Sequence, residues 1–95
     1  MHPEARRELF EAIDYYNDIE PGLGESFLEE IEAAIVLVEK FPSLGVEIGN
    51  GIRRCLVRRF PYAVLYSVEA DRVLILAIMH TRRKPGYWAS RRSEG

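Results

Sequence analysis

Residues 51–80 read GIRRCLVRRFPYAVLYSVEADRVLILAIMH, and this stretch decides the fold. Tyr62–Glu69 is rich in β-branched and aromatic residues, and Arg72–His80 is apolar along almost its whole length. Both compositions are typical of strands, the second of a strand that is buried on both faces. Because neighbouring strands with short connections usually pair, Ile52–Val57 and these two segments predict a sequential antiparallel meander.

The sequence that precedes Gly51 has a different period. In Pro3–Ile19 and again in Gly24–Phe41, apolar residues recur every three or four positions, with charged residues on the opposite face. A Pro-Gly pair separates the two segments, and Pro42 follows the second, where a helix is expected to stop. Two helices joined by so short a turn are predicted to form an antiparallel hairpin.

These segments predict one α+β domain over residues 1–95. A helical hairpin (residues 1–41) packs on one face of an antiparallel β-sheet of at least three strands (residues 46–80), in the order α-α-β-β-β. A basic tail follows (residues 81–95). A chain of this size buries only ~60–65% of the surface of its unfolded state, so a partner that covers further apolar surface would stabilise it.

The composition is that of an ordinary globular domain, with 47% hydrophobic and 29% charged residues. The longest uncharged apolar run, Val73–Met79, is far shorter than the roughly 20 residues of a membrane-spanning helix. Cys55 is the only cysteine, which excludes an internal disulfide and disfavours a cysteine-ligated zinc site. Charged residues also occupy the N-terminus, where a signal peptide would be apolar. We therefore expect a cytoplasmic protein that has no cofactor and does not enter a membrane.

Charge is divided unevenly along the chain. Residues 1–50 contain twelve acidic and three basic residues, a balance of −9, whereas residues 51–95 contain ten basic and three acidic residues, a balance of +7. Nine of these ten cations are arginine, whose planar fork of donors suits phosphate and carboxylate groups. We expect Arg53, Arg58 and Arg83 to converge with the tail at one end or face of the sheet. The alternative is that acidic helices simply neutralise a basic sheet.

Several short features occur in an order that is informative as a set. They are Tyr15-Tyr16 at the end of the first helix, Phe27 in the second, Pro42 and Gly45 after it, Arg53, Phe60-Pro61-Tyr62, Tyr66, and His80 followed by Arg82-Arg83. In this order they resemble the RelE/ParE superfamily of type II toxin–antitoxin toxins, often called plasmid stabilisation proteins, over nearly the whole chain. The resemblance implies the fold predicted above, a role in growth inhibition, and neutralisation by a cognate antitoxin.

The sequence departs from the pattern of this family at its start. Members usually have a β-strand before the helical hairpin, whereas this sequence begins directly with the first predicted helix. We expect a sheet without that strand to expose an edge or a strip of apolar surface. The departure bears on whether the chain is active and stable by itself.

The resemblance leaves the target of the toxin open. The spacing in the first fifty residues is closer to the ParE side, whose members inhibit DNA gyrase through a protein–protein contact. The RelE side cleaves mRNA on the ribosome without a metal, and the arginine, histidine and tyrosine residues of the second half keep that alternative open. A further alternative is a domain that is inactive, or that binds nucleic acid or a protein without catalysis.

The ribonuclease alternative has five candidate catalytic residues. Attack by a 2′-hydroxyl on the adjacent phosphate needs a base, an acid for the departing oxygen, and cations for the charge that builds on phosphorus. Arg53, Arg58 and Arg83 are candidates for stabilising that charge. His80 is the candidate base, because an imidazole can accept a proton, and Tyr87 is a candidate acid.

His80 also has a structural interpretation. By strict strand alternation, this histidine shares its face with Leu74, Leu76 and Ile78. A histidine at the end of such a face is typical of a half-buried structural side chain. The resemblance leaves both roles open, because a histidine near this point also occurs on the gyrase-inhibiting side.

The expected partners are a cognate antitoxin and, as the target, either DNA gyrase or ribosome-bound mRNA. The second helix has a wide apolar stripe, in which Phe27, Leu28, Ile31 and Ile35 are candidate contacts for an amphipathic antitoxin helix. Acidic residues of an otherwise disordered antitoxin segment would neutralise the basic half of the chain. The alternative occupant of the stripe is a second copy of this chain in a homodimer. Further candidate partner contacts are Arg54, Arg59, Arg82 and Trp88.

Overall fold

The computed structural model describes residues 1–84 and 86–91. Helices α1 (Pro3–Ile19) and α2 (Leu23–Lys40) come first, followed by strands β1 (Val46–Gly49), β2 (Ile52–Leu56), β3 (Tyr62–Glu69) and β4 (Arg72–His80). A helical hairpin packs on an antiparallel sheet, which confirms the predicted α+β class. Neither of these helices is long and apolar enough to span a lipid bilayer.

The turn of the helical hairpin is fixed by one side chain and one glycine. The Asn17 Oδ1 atom accepts the Gly22 N–H (3.2 Å) and the Gly24 N–H (2.8 Å), amides that have no partner inside α2. A side chain at position 24 has no room, because a Cβ on Gly24 would lie 2.5 Å from the Ile13 carbonyl oxygen. The close approach of α1 and α2 therefore requires glycine at this position.

The strands are paired in the order β1-β2-β3-β4, and every pair is antiparallel. This order confirms the predicted meander of β2, β3 and β4, to which β1 is an addition. The β1–β2 turn contains Asn50 and Gly51, and both have a positive φ, of 54° and 74°. Asn-Gly is a strong hairpin signal because both residues tolerate positive φ. The Asn-Gly pair is thus a sequence signal for β1 that the pattern of apolar residues does not contain.

A β-bulge in β4 changes which side chains face the helices. Leu65 pairs with Ala77 and Tyr66 pairs with Ile75, so Leu76 is an extra residue without an opposite partner on β3. Strict alternation is therefore wrong beyond this point. His80 faces the helices and contacts Tyr62, whereas Leu74 and Leu76 belong to the opposite face.

Apolar side chains cover both faces of the sheet. Buried residues between the helices and the sheet include Tyr16, Phe27, Ile31, Val38, Val64, Tyr66 and Ile78. Buried residues on the opposite face include Ile52, Leu65, Leu76, Met79 and Trp88. Because Trp88 is only 6% exposed, the described part of the predicted basic tail contributes to the core.

The outer edge of β4 is bonded by groups from both ends of the chain. The His2 N–H donates to the Ile75 carbonyl oxygen (2.8 Å), and the Glu8 carboxylate accepts the Ile78 N–H (3.1 Å). The Arg91 guanidinium donates to a third edge group, the carbonyl oxygen of the bulged residue (3.1 Å). An open edge was expected here, but these polar groups are satisfied without a further strand.

Candidate functional site at the basic end of the sheet

Two loops meet at the end of the sheet where β2 and β4 finish. One consists of residues 57–61, between β2 and β3, and the other of residues 81–84, after β4. The Thr81 N–H donates to the Pro61 carbonyl oxygen (2.9 Å), which holds the loops side by side. Five exposed cations lie on them, and we call this surface the basic end: Arg58, Arg59, Arg82, Arg83 and Lys84.

Phe60 sets the conformation of the first loop. Its ring packs in the core against Tyr16 (4.9 Å between centroids) and Phe27 (5.2 Å). With this ring turned inward, Arg59 adopts a φ of 70°, which residues other than glycine rarely adopt. The Arg59 side chain remains at the surface, where its guanidinium lies 5.6 Å from the centroid of the Phe60 ring.

The cations of the basic end are weakly paired within the protein. The Nη1 atom of Arg59 lies 3.9 Å from Glu30 Oε2, and Nη1 of Arg83 lies 3.8 Å from Glu8 Oε2. Both distances exceed those of a hydrogen bond. Among the described residues, the other three cations have no carboxylate within 4.0 Å. Their charge is therefore available to an anionic ligand.

A cavity of 270 Å³ opens beside the basic end, between α1 and the end of β4. Its walls combine carboxylate, phenol, imidazole and guanidinium groups with two apolar side chains. Three of the five candidate catalytic residues, His80, Arg83 and Tyr87, line it, and Arg58 lies on the first loop of the basic end. The other polar lining residues are Glu8, Glu11, Tyr15 and Tyr62.

His80 is hydrogen-bonded in a way that leaves it no free acceptor. The Arg82 backbone N–H donates to His80 Nδ1 (3.1 Å), so the proton of the neutral ring is on Nε2. The ring packs edge-on against Tyr62, with 5.1 Å between centroids. A general base must accept a proton, and the single acceptor nitrogen of this imidazole is already used by the backbone.

Tyr87 is half-buried, its hydroxyl is shielded from solvent, and its ring is covered by guanidinium groups. Burial raises the pKa of Tyr87 to about 12, and the Glu8 carboxylate adds to the shift. The guanidinium of Arg83 lies 3.6 Å from the centroid of the ring, and that of Arg91 lies 5.0 Å away. A phenol with a raised pKa is a weaker acid, and a ring covered by a guanidinium cannot stack on a nucleobase.

Arg53 has a structural role outside the basic end. Its Nη1 atom donates to the Gly45 carbonyl oxygen (2.6 Å) in the connection between α2 and β1. The Tyr66 hydroxyl holds the same connection, since it accepts the Gly45 N–H and donates to the Pro42 carbonyl oxygen, each at 2.8 Å. The other two arginines that were expected to converge lie at the basic end, and Arg53 does not.

The candidate partner contacts divide into buried and accessible residues. Phe27 and Ile31 are 0% exposed, because the apolar stripe of α2 faces the sheet, and Trp88 is buried on the opposite face. These three are core residues rather than surface contacts. The other five candidate contacts are half-buried or exposed and are therefore accessible to a partner: Leu28, Ile35, Arg54, Arg59 and Arg82.

A second and more apolar concavity, of 290 Å³, lies between α2 and β2, and we call it the α2–β2 groove. The pairing of β1 with β2 ends at Arg54, so Cys55 and Leu56 extend beyond β1. Leu56 is 63% exposed. Burial raises the pKa of the Cys55 thiol, which makes it a poor nucleophile. The groove is lined by Glu30, Ala33, Ala34, Leu37, Cys55, Leu56 and Arg58.

Comparison with known proteins assigns the family. A family model described as "ParE toxin of type II toxin-antitoxin system, parDE" matches residues 1–85. The chain belongs to this ParE toxin family. The solved structure "Chromosomal ParDE TA system from P. aeruginosa" has a similar fold, with a TM-score of 0.75 and 18% identity, covering 84% of this chain and 90% of that chain. No curated protein matches the chain.

Two buried residues of this ParE-family chain were not singled out from the sequence. Glu8 is one of the charged residues of the first helix, and Arg91 lies in the predicted basic tail, yet each is less than 9% exposed. A signal for Glu8 was present, because it lies three residues after Ala5 and four before Ala12, at the border of the apolar arc. No local pattern indicates the burial of Arg91, because that burial depends on its contact with the distant residue Glu8.

Proposed function

We propose that this ParE-family protein is the toxin of a type II toxin–antitoxin module and that it arrests growth by inhibiting DNA gyrase. The observation that carries the proposal is the family match over residues 1–85. In this mechanism the protein performs no chemical step. It acts by a protein–protein contact that hinders gyrase, and a cognate antitoxin neutralises it by binding the toxin.

The geometry of the candidate catalytic residues favours a contact mechanism over RNA cleavage. A ribonuclease site needs a free base, a free acid and cations aimed at one phosphate. Here the acceptor nitrogen of His80 is occupied by a backbone N–H, and the Tyr87 hydroxyl is buried while a guanidinium covers its ring. Arg53 is hydrogen-bonded to the connection between α2 and β1, outside the basic end. These residues are better suited to holding the structure than to acid–base catalysis.

The proposed binding site of the antitoxin is the α2–β2 groove. Val57 donates its N–H inward to the Tyr62 carbonyl oxygen, so the N–H and C=O groups of the preceding residue, Leu56, point to the open edge. An extended antitoxin segment there would continue the line of β1 and place apolar side chains against Leu37. Two exposed arginines, Arg54 and Arg58, flank this edge and favour an acidic segment.

Inducible expression in bacterial cells, with and without the antitoxin, tests the proposed function. The proposal predicts growth arrest, loss of negative supercoiling in a reporter plasmid, intact mRNA in toeprinting assays, and recovery when the antitoxin is co-expressed. Growth arrest with normal plasmid supercoiling and cleaved mRNA would contradict the gyrase mechanism and support the ribonuclease alternative. Normal growth with folded protein would contradict the assignment as a toxin.

A further inference from the structure

We propose that the basic end binds the phosphate backbone of duplex DNA directly. This goes beyond the proposed function, because inhibition of gyrase through a protein–protein contact alone requires no contact between this chain and DNA. The contact is favoured by the charges of the two loops, by the rigidity of the loops, and by the arrangement of the aromatic rings beside them.

The charge of the basic end is concentrated and largely free. Five of the thirteen cations of the chain lie on two short loops that are hydrogen-bonded to each other through Thr81 and Pro61. The two nearest carboxylates, those of Glu8 and Glu30, lie at 3.8 and 3.9 Å, and Glu8 is already engaged by Arg91. When such cations neutralise phosphates, counterions are released from the nucleic acid, and this release contributes to the affinity. Cations that have no strong partner in the free protein can make these contacts without breaking an ion pair.

The loops are built rigidly enough to present these cations as one surface. Phe60 anchors the first loop in the core, and Arg59 is held in a strained conformation beside it. The Arg83 N–H donates to the His80 carbonyl oxygen (3.0 Å), which turns the second loop. A strained residue that persists is held by its surroundings, and such residues cluster at binding sites.

The aromatic rings near the basic end favour a duplex over a single strand. Proteins that bind single strands offer open rings on which unpaired bases stack. Phe60 packs in the core, Tyr62 is wedged against Phe27 and His80, and Tyr87 is covered by a guanidinium. Tyr15 is 59% exposed in the adjoining cavity, but it lies on α1 outside the two loops and packs edge-on against Tyr16. The two loops themselves therefore present charge without a stacking platform, which matches contacts to phosphates rather than to bases.

Of the five cations of the basic end, only Arg58 also lines the apolar α2–β2 groove, and the other four lie outside the kind of groove that a peptide ligand requires. A disordered acidic segment gains much of its affinity by burying apolar side chains as it folds. The largest apolar side chain of the first loop, Phe60, is turned into the core, and the neighbouring α2–β2 groove already provides an apolar site. Contact with a uniformly charged backbone needs no such anchor.

Fluorescence anisotropy with a labelled DNA duplex of about 20 base pairs tests the inference. Five phosphate contacts predict that the logarithm of affinity falls with the logarithm of salt concentration with a slope of about −4.5 between about 50 and 200 mM salt. The triple variant Arg58→Ala, Arg82→Ala, Lys84→Ala should lose about three of these contacts, reduce the slope by about 3, and weaken binding at least about tenfold.

A matched control removes the same number and kinds of charge elsewhere. The variant Arg6→Ala, Lys40→Ala, Arg72→Ala changes three exposed cations outside the two loops and should bind DNA like the wild type. Circular dichroism and the melting temperature establish that both variants fold. Equal loss of binding in both triple variants, undetectable binding of the wild type at low salt, or tighter binding of a single strand or of a polyglutamate peptide, which has no apolar side chains for the α2–β2 groove, would overturn the inference.

The outcome can be separated from that of the proposed function. Anisotropy is measured without gyrase, and inhibition of supercoiling is measured with it. Inhibition of gyrase by a wild-type protein that does not bind DNA would overturn the DNA contact alone. Binding of DNA without any effect on gyrase would support the DNA contact and contradict the proposed target.

Discussion

Arg91 and Glu8, 83 positions apart in the sequence, form a buried ion pair with two hydrogen bonds, of 2.9 and 3.2 Å. Glu8 is on α1, and Arg91 is near the end of the described chain. Both side chains also bond the outer edge of β4, Glu8 through the Ile78 N–H and Arg91 through the Leu76 carbonyl oxygen. The pair therefore joins the C-terminal segment, the first helix and the sheet.

Replacement of Arg91 should destabilise the protein strongly. Arg91→Ala leaves the Glu8 carboxylate buried without the cation that hydrogen-bonds it, because Arg83 lies 3.8 Å away. Such a loss typically lowers the free energy of unfolding by about 3 kcal/mol or more. Urea denaturation followed by circular dichroism measures this. The exposed Arg72 is the matched control, and Arg72→Ala should cost less than about 0.5 kcal/mol. Equal stability of the two variants would show that the pair does not hold the C-terminal segment in place.

Stability should fall at alkaline pH partly because of Tyr87. Its pKa is raised from the usual value of 10 to about 12, chiefly by burial, so the folded state favours the protonated phenol. This contribution is fully present below pH 10 and is lost as the pH rises toward 12, because the unfolded state releases its proton first. The loss of unfolding free energy between about pH 9 and pH 12 should be smaller in Tyr87→Phe than in the wild type. Parallel stability curves for the two proteins would exclude this role of burial.

The substitution Gly24→Ala should destabilise the helical hairpin. In an ordinary helix the change from glycine to alanine is stabilising by about 1 kcal/mol. Here the added Cβ would lie 2.5 Å from the Ile13 carbonyl oxygen and 2.6 Å from the Asn17 side chain, so the helices must move apart. We expect a loss of about 1–3 kcal/mol in thermal or urea unfolding, as for other overpacked sites. A more stable variant would mean that the hairpin turn is less closely packed than described.

Binding of the antitoxin should depend on Leu56. Leu56→Asp places a charge in the α2–β2 groove, and because Leu56 is 63% exposed the substitution should leave the fold intact. We expect affinity for the antitoxin to fall at least about tenfold in titration calorimetry, as for an interface hot spot. The control is Val68→Asp, at an exposed apolar position of β3 outside this groove. A similar affinity for both variants would place the antitoxin elsewhere.

Local patterns were sufficient to predict the main elements of the fold. The helical period of α1 and α2 and the apolar composition of β3 and β4 specify their own structure, so the hairpin and the meander followed from the sequence. The Asn-Gly turn of β1 was an equally local signal. Val46–Gly49 itself is too short for a clear alternation of apolar residues, so the strand pattern alone does not predict β1.

Features that depend on contacts between distant residues were not predictable in this way. The bulge at Leu76 places His80 on the face of β4 that packs against the helices, and no local sequence pattern predicts the bulge. The burial of Arg91 requires Glu8, and the role of Arg53 requires the Gly45 carbonyl oxygen. In the candidate site, the clustering of Arg58 and Arg83 was predictable from the distribution of charge. The hydrogen bond to His80 Nδ1 and the guanidinium over the Tyr87 ring were not.

The proposed function requires that this ParE-family chain inhibits gyrase without cleaving RNA. A supercoiling assay with purified DNA gyrase, relaxed plasmid and increasing amounts of the folded protein tests it most directly. The account predicts that supercoiling falls in proportion to the protein added, that the antitoxin restores it, and that His80→Ala inhibits as well as the wild type if it remains folded. Full supercoiling at a saturating concentration of folded protein that still arrests growth in cells would contradict it.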